Sequence, residues 1–85
     1  MHYVYVLHSK KGQNFYTGVT SDLRRRLDEH NRGYVKSTKH RRPLALIYYE
    51  ACLNGEDAKR REKYLKSGMG KKYLKQRLRV TLKEL

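Results

Sequence analysis

The chain has 85 residues and a formal net charge of +13 at pH 7, because 21 lysines and arginines stand against only 8 aspartates and glutamates. This length suffices for one domain with a small core, and the lone Cys52 excludes an internal disulfide or a zinc site built from several thiolates. No apolar run approaches the roughly 20 residues that span a bilayer, and the N-terminus lacks the basic region of a signal peptide. We therefore expect a cytoplasmic protein.

The positive charge favours a polyanionic partner. Nucleic acid is the first candidate, because lysine and arginine side chains that neutralise phosphates release counterions. An anionic membrane surface is the second, but no helix combines a clean apolar face with Trp or Phe anchors, so we expect no membrane partner. A basic surface that only keeps the chain soluble is the alternative.

The first predicted elements are two strands, over residues 2–7 (HYVYVL) and 15–20 (FYTGVT), which form a β-hairpin. If the hairpin turns near the glycine between them, Tyr16 lies opposite Leu7 and diagonal to Tyr5. Both phenol hydroxyls then emerge on one face of the sheet. Tyrosine is also a good strand residue when half-buried, so ordinary packing is the alternative explanation.

A helix is predicted from Asp22 to about Asn31, with Ser21 as its N-cap and Gly33 suited to end it near Arg32. The polar and basic residues 33–43 then predict a loop.

The apolar run 44–50 (LALIYYE) predicts a third, central strand. A second helix follows over about 56–67, capped by Asn54 or Gly55, and a last basic helix over about 71–79 with a frayed or extended tail. The predicted class is α+β: a small, mostly antiparallel three-stranded sheet flanked by helices, in the order β-β-α-β-α-α.

Polar side chains occupy the apolar stripes of both main helices. In the first helix, Leu23 and Leu27 mark the core-facing stripe, and Arg26 and His30 share that face. Such groups are costly to bury unless they are paired or functional.

The second helix shows the same feature. Ala58 and Leu65 mark its buried stripe, and Glu62 falls on the same line. An ion pair between Arg26 and Glu62 would explain both groups without a function, and an exposed pair with Lys66 would explain Glu62 alone.

Together these residues resemble the motifs of the GIY-YIG nuclease superfamily. The first motif matches Tyr3-Val4-Tyr5, and the second matches Tyr16-Thr17-Gly18. The pattern continues with an Arg and a His one helical turn apart, at Arg26 and His30, and with a Glu in an Arg-Glu-Lys helix, at Glu62. The resemblance covers roughly residues 2–70, and the compact form looks like the short stand-alone, excinuclease C-like members. Tyr3 and Val4 replace the usual Gly and Ile, and no counterpart of the downstream Asn of some members follows Glu62.

The resemblance implies a single GIY-YIG-type endonuclease domain over residues 1–85 that hydrolyses DNA, a role in DNA repair, and catalysis by Tyr5, Tyr16, Arg26, His30 and Glu62. Glu62, the one acid on a core-facing line, is the candidate metal ligand, and a single carboxylate suits Mg²⁺, with Mn²⁺ as an alternative. Arg26 would hold phosphate oxygens through its planar fork. Tyr5, Tyr16 and His30 are all candidates to position or deprotonate the attacking water.

Basic side chains outside this set predict contacts with the nucleic-acid backbone that do not depend on base sequence. They are Lys36, Lys39, His40, Arg41, Arg42, Lys63, Lys66, Lys71 and Lys72, joined by Lys75, Arg77 and Arg79 near the C-terminus. No motif indicates base-edge readout, so nucleic-acid shape or a protein partner would choose the target. The alternatives are a catalytically inactive nucleic-acid-binding module of the same fold, and a basic accessory protein that docks on an acidic partner or ribosomal RNA.

Overall fold

A computed structural model describes all of residues 1–85, and it confirms the predicted class and element order. The elements are β1 (His2–Ser9), β2 (Phe15–Thr20), α1 (Leu23–Asn31), β3 (Leu44–Cys52), α2 (Gly55–Lys66), α3 (Gly68–Arg77) and α4 (Arg79–Lys83). The three strands form one antiparallel sheet in the order β2-β1-β3. None of the helices is both long and apolar enough to cross a bilayer.

The hairpin has the predicted register. Leu7 lies opposite Tyr16, and Tyr5 lies opposite Gly18. Because paired residues of antiparallel strands face the same side, Tyr5, Leu7 and Tyr16 share one face of the sheet.

The sheet separates two apolar clusters. On one face, Val4 and Val6 of β1 pack with Ala58 and Leu65 of α2 and with the leucines of the C-terminal helices. On the other face, Tyr5 and Leu7 form a second cluster to which α1 contributes its two apolar side chains. Helix α1 therefore covers one face, and helices α2 to α4 cover the opposite face.

The prediction of β3 as the central strand is wrong. Strand β1 is central, and both β2 and β3 are edges. Residues 4–9 of β1 are all buried, whereas β3 after Leu44 is mostly half-buried or exposed. A continuous apolar run indicates contact on two faces but not how many strands flank it.

Helix ends differ from the sequence prediction in three places. Helix α3 spans Gly68–Arg77 and not about 71–79, because the Ser67 hydroxyl accepts a hydrogen bond from the Gly70 N–H and caps the helix there. Asp22 caps α1 in place of Ser21, and its carboxylate accepts a hydrogen bond of 3.1 Å from the backbone N–H of Arg25. Arg32 ends this helix and Gly33 follows with φ of 81°, as predicted. The C-terminal tail, predicted to be frayed or extended, forms α4 because it packs on the core through Leu82.

A polar network ties β3 to α2. The Glu50 carboxylate accepts hydrogen bonds from Arg61 at 2.9, 3.2 and 2.9 Å and one from the Tyr48 hydroxyl at 2.6 Å. The Arg61 guanidinium lies over the rings of Tyr64 and Tyr73, at 5.1 and 5.0 Å from their centroids. This network holds the turn of α2 that carries the next residue, Glu62.

Candidate active site

Tyr5 reaches the candidate site across a glycine. The residue is 1% exposed, and its ring lies over Gly18 of the edge strand β2. A Cβ at position 18 would lie 2.5 Å from the Tyr5 hydroxyl oxygen and 2.7 Å from Cζ. The missing side chain of Gly18 therefore makes room for the phenol.

His30 lies in the last turn of α1 and is completely buried. Its Nε2 is 2.8 Å from the Tyr5 hydroxyl, and its Nδ1 is 2.7 Å from the Thr38 hydroxyl. The Tyr5 and Tyr16 rings stand edge-on to the imidazole, with centroids 5.7 and 5.0 Å away. The two tyrosines and the histidine predicted from the sequence thus form one cluster.

The His30 imidazole is neutral at pH 7. Burial, and then the positive charges of Arg26 and Arg41, lower its pKa to about 4, although Glu29 acts in the opposite direction. Since both ring nitrogens are hydrogen-bonded, the ring can act on a water molecule only through Tyr5 or Thr38.

Arg26 borders the Tyr5 phenol. This interaction raises the pKa of Arg26, and it opposes the rise in the pKa of Tyr5, which burial causes. Nη1 of Arg26 lies 3.2 Å from the Glu29 carboxylate, in a half-exposed pair of the kind that contributes little. The ion pair with Glu62 that would have explained Arg26 without a function does not form.

Glu62 lies on α2 and is half-buried, with 26% of its side chain exposed. Its carboxylate lies 3.3 Å from Nζ of Lys66, which is the exposed-pair alternative raised by the sequence. The negative charge of Glu62 is the smallest of the contributions that raise the pKa of Tyr5, and α1 and α2 cover opposite faces of the sheet.

Glu62 supplies a single carboxylate to any metal. Nowhere in the chain do three or more His, Cys, Asp or Glu side chains come together as a metal site. A hydrated Mg²⁺ fits this donor set, because it keeps several waters and takes substrate phosphate oxygens as further ligands.

The loop of residues 33–43 is basic outside and anchored inside. Val35 and Thr38 are buried, and the Ser9 hydroxyl donates a hydrogen bond of 2.6 Å to the Arg41 carbonyl. The Arg41 guanidinium lies 5.7 Å from the centroid of the Tyr16 ring. The other basic side chains predicted here to bind nucleic acid are exposed: Lys36, Lys39, His40 and Arg42.

A second basic surface lies on the C-terminal helices. We call it the α3 basic face and define it as Lys71, Lys72, Lys75 and Arg79, which line a shallow cavity of about 500 Å³. A smaller cavity of about 220 Å³ joins two of these lysines to the hairpin residues Gln13, Asn14 and Phe15. All four cations are exposed, and none forms a salt bridge. Lys63 and Lys66 of α2 are exposed as well, although Lys66 is paired with Glu62.

Two residues next to the cluster were not proposed as site residues from the sequence. Gly18 was visible as part of the second motif, but its steric role depends on the hairpin register. No sequence pattern pointed to Thr38, because it lies in a polar loop eight residues from the histidine that it contacts.

Comparisons with known proteins agree with the motifs. The family model described as the GIY-YIG catalytic domain matches residues 1–79. A UPF0213 protein of Clostridium perfringens is 42% identical over 67 residues, which cover 78% of this chain and 71% of that protein. A UPF0213 protein of Staphylococcus saprophyticus is 39% identical over 75 residues, covering 87% and 90%. The solution NMR structure of a UPF0213 protein from Bacillus halodurans has a TM-score of 0.54 and 38% identity, covering 86% of this chain and 80% of that one.

Proposed function

The chain belongs to the GIY-YIG nuclease family, and from that premise we propose that it is a metal-dependent endonuclease that hydrolyses phosphodiester bonds in DNA. One observation supports this most: a buried phenol, hydrogen-bonded to a neutral imidazole, lies beside an arginine and within the field of a lone carboxylate. An apolar core would not need the buried pair of Tyr5 and His30, because polar groups are costly to bury.

In the proposed reaction Tyr5 activates the attacking water, because it is the phenol that contacts both His30 and Arg26. Arg26 holds the non-bridging phosphate oxygens through two parallel hydrogen bonds and stabilises the charge that develops on them. Tyr16 packs against the imidazole and keeps it in place. A divalent ion held by Glu62 would lower the pKa of the attacking water and neutralise the phosphate.

Substrate binding has to release two ion pairs, Arg26 with Glu29 and Glu62 with Lys66. Both pairs are partly exposed and contribute only about 0–1 kcal/mol, so a phosphate and a metal can replace them. The basic loop and the α3 basic face would contact the nucleic-acid backbone without regard to sequence. A protein partner or the shape of the DNA would then select the target.

The decisive experiment measures cleavage of duplex, flapped and branched DNA, and of matched RNA, with Mg²⁺ or Mn²⁺. Glu62→Gln should lower the cleavage rate by about a hundredfold or more while binding persists, because it removes the metal ligand. Glu56→Gln is the matched control: it makes the same charge change on an exposed residue of the same helix and should cleave like the wild type. Equal rates for Glu62→Gln and the wild type would remove Glu62 from the mechanism.

A catalytically inactive nucleic-acid-binding module is the second candidate. The two ion pairs that occupy Arg26 and Glu62 favour it, as does the raised pKa of Tyr5. Binding that weakens steeply with salt, without products under either metal, would decide for this candidate.

A further inference from the structure

The Thr38 hydroxyl has one hydrogen-bond partner. Thr38 is completely buried, and its hydroxyl lies 2.7 Å from Nδ1 of His30. Its backbone N–H donates to the Val35 carbonyl, and its carbonyl accepts from the N–H of Arg41, so the loop itself holds the residue in place. The hydroxyl takes part in no other hydrogen bond of the structure. Since an unpaired buried hydroxyl is costly, its hydrogen should point at Nδ1.

This hydrogen bond decides where the imidazole carries its own hydrogen. A neutral imidazole has one N–H donor and one bare nitrogen. If Nδ1 accepts from Thr38, then Nε2 must carry the hydrogen and donate it to the Tyr5 oxygen, 2.8 Å away. The opposite arrangement, in which Nδ1–H donates to Thr38 and the Tyr5 hydroxyl donates to Nε2, would leave the buried Thr38 hydrogen without an acceptor.

In this arrangement the Tyr5 hydroxyl hydrogen needs an acceptor other than His30. The phenol borders Tyr16 and Arg26, which are only partly buried, and it lies in the field of Glu62. Water or a substrate phosphate that enters from this side can accept the hydrogen.

We propose that Thr38 is a positioning residue that holds His30 as its Nε2–H tautomer, so that His30 is a hydrogen-bond donor to the Tyr5 oxygen and not its base. The lowered pKa of His30 agrees with this role, because an imidazole that resists protonation at pH 7 is a poor acceptor for the phenol proton.

The consequence for the reaction rests on the proposed function. Tyr5 first passes its hydroxyl proton to a water molecule that enters on the Tyr16 and Arg26 side and carries it to solvent, and hydrogen bonds from His30 and Arg26 stabilise the phenolate. The phenolate then takes a proton from the attacking water, whose oxygen forms the new bond to phosphorus. The bond from phosphorus to the leaving oxygen breaks, and that oxygen takes a proton from solvent.

The charged and titratable groups that face the Tyr5–His30 pair come from every element around it. They are Tyr16 of β2, Tyr49 of β3, which lies opposite Tyr5 in the sheet, Arg26 and Glu29 of α1, Arg41 of the basic loop and Glu62 of α2.

The tautomer can be observed directly, whether or not the protein cleaves anything. We would record ¹⁵N NMR shifts of the imidazole nitrogens at pH 7 in the full chain, with His30→Gln to assign the His30 signals among the 4 histidines. The expected result is a protonated Nε2 and a bare Nδ1. A protonated Nδ1, or a ring protonated on both nitrogens, would overturn the proposal.

Cleavage kinetics test the role of Thr38 itself. Thr38→Ser keeps the hydroxyl and should stay within about twofold of the wild type, whereas Thr38→Val removes it. Without the Thr38 hydroxyl, Nε2 of His30 no longer has to donate to the Tyr5 oxygen, and the pKa of Tyr5 should rise by about one unit. A rise of one unit lowers the phenolate population at pH 7 about tenfold, so we expect Thr38→Val to lower kcat at pH 7 about tenfold. The rate should recover as the pH rises, and KM should not change because Thr38 does not touch the substrate.

Matching pH profiles for the Val and Ser variants would overturn the role of Thr38. If Thr38→Val does not fold, the wild-type ¹⁵N shifts still decide the proposal. If the wild type cleaves nothing, the proposed function fails, whereas the ¹⁵N shifts continue to report on the tautomer.

Discussion

Replacing Gly18 by alanine tests whether the catalytic cluster depends on the space above the edge strand. The added Cβ would lie 2.5 Å from the Tyr5 hydroxyl oxygen, and an ordinary non-bonded contact needs about 3.5 Å. The phenol must therefore move by about 1 Å. Because the ring is 1% exposed and its hydroxyl is hydrogen-bonded to His30, this movement has no free direction.

Two effects follow from such a displacement. A reacting group misplaced by about 1 Å can lower the rate about a hundredfold, and overpacking of a filled core costs about 1–3 kcal/mol in the free energy of unfolding. We expect both for Gly18→Ala. The assays are single-turnover cleavage with Mg²⁺ and urea unfolding.

Gly68→Ala is the matched control. Nothing lies within 4 Å of a Cβ at this position, which is the first residue of α3. This variant should keep the wild-type rate and gain up to about 1 kcal/mol, because alanine favours the helix and restricts the unfolded chain. Gly18→Ala with a wild-type rate and stability would refute the argument that the phenol needs this space.

Three further predictions concern stability and binding. Because the pKa of His30 is about 4 in the folded chain and 6.5 in the unfolded chain, the unfolded chain binds an extra proton between these values. The free energy of unfolding should therefore fall by about 3 kcal/mol as the pH drops from 6.5 to 4. Urea unfolding of His30→Gln should not show this fall. An equal pH dependence in the two proteins would contradict the lowered pKa of His30. Glu50→Ala leaves the hydroxyl of Tyr48 and the guanidinium of Arg61 without their shared acceptor, and should cost about 1–3 kcal/mol. Arg60→Ala, which removes an exposed pair, should cost less than about 0.5 kcal/mol, and similar losses for the two variants would argue against the network. Replacing the four side chains of the α3 basic face by glutamine should weaken the salt dependence of DNA binding. Measured by fluorescence anisotropy, the slope of the logarithm of the binding constant against the logarithm of the salt concentration should become shallower by about 0.9 for each phosphate that these side chains neutralise. An unchanged slope would mean that the nucleic acid binds elsewhere on the protein.

Local patterns were enough to predict much of the fold. The alternation of β-branched and aromatic residues gave both strands of the hairpin, and the turn between them set the pairing of Leu7 with Tyr16. Caps and glycines located the helices to within a few residues. The position of β3 at an edge could not be predicted, because strand order depends on which neighbours the sheet acquires and not on the residues of the strand alone.

The candidate site was only partly predictable. Tyr5, Tyr16 and His30 meet as expected, because the hairpin register and the helical repeat are local properties. The contact of His30 with Thr38 joins a helix to a loop without a periodic pattern, so no spacing rule could predict it. The pairing of Arg26 with Glu29 in place of Glu62 has a similar origin, since the two helices cover opposite faces of the sheet.

The two faces of β1 have different roles, and this difference limits how the chain can be engineered. Val4 and Val6 point into a mainly apolar cluster, whereas Tyr5 on the opposite face belongs to both the second core cluster and the candidate site. Repacking on the valine side leaves Tyr5 and His30 untouched and reaches the candidate site only through α2, the helix that carries Glu62. On the tyrosine side, every gain in packing would also reset the geometry of the chemistry.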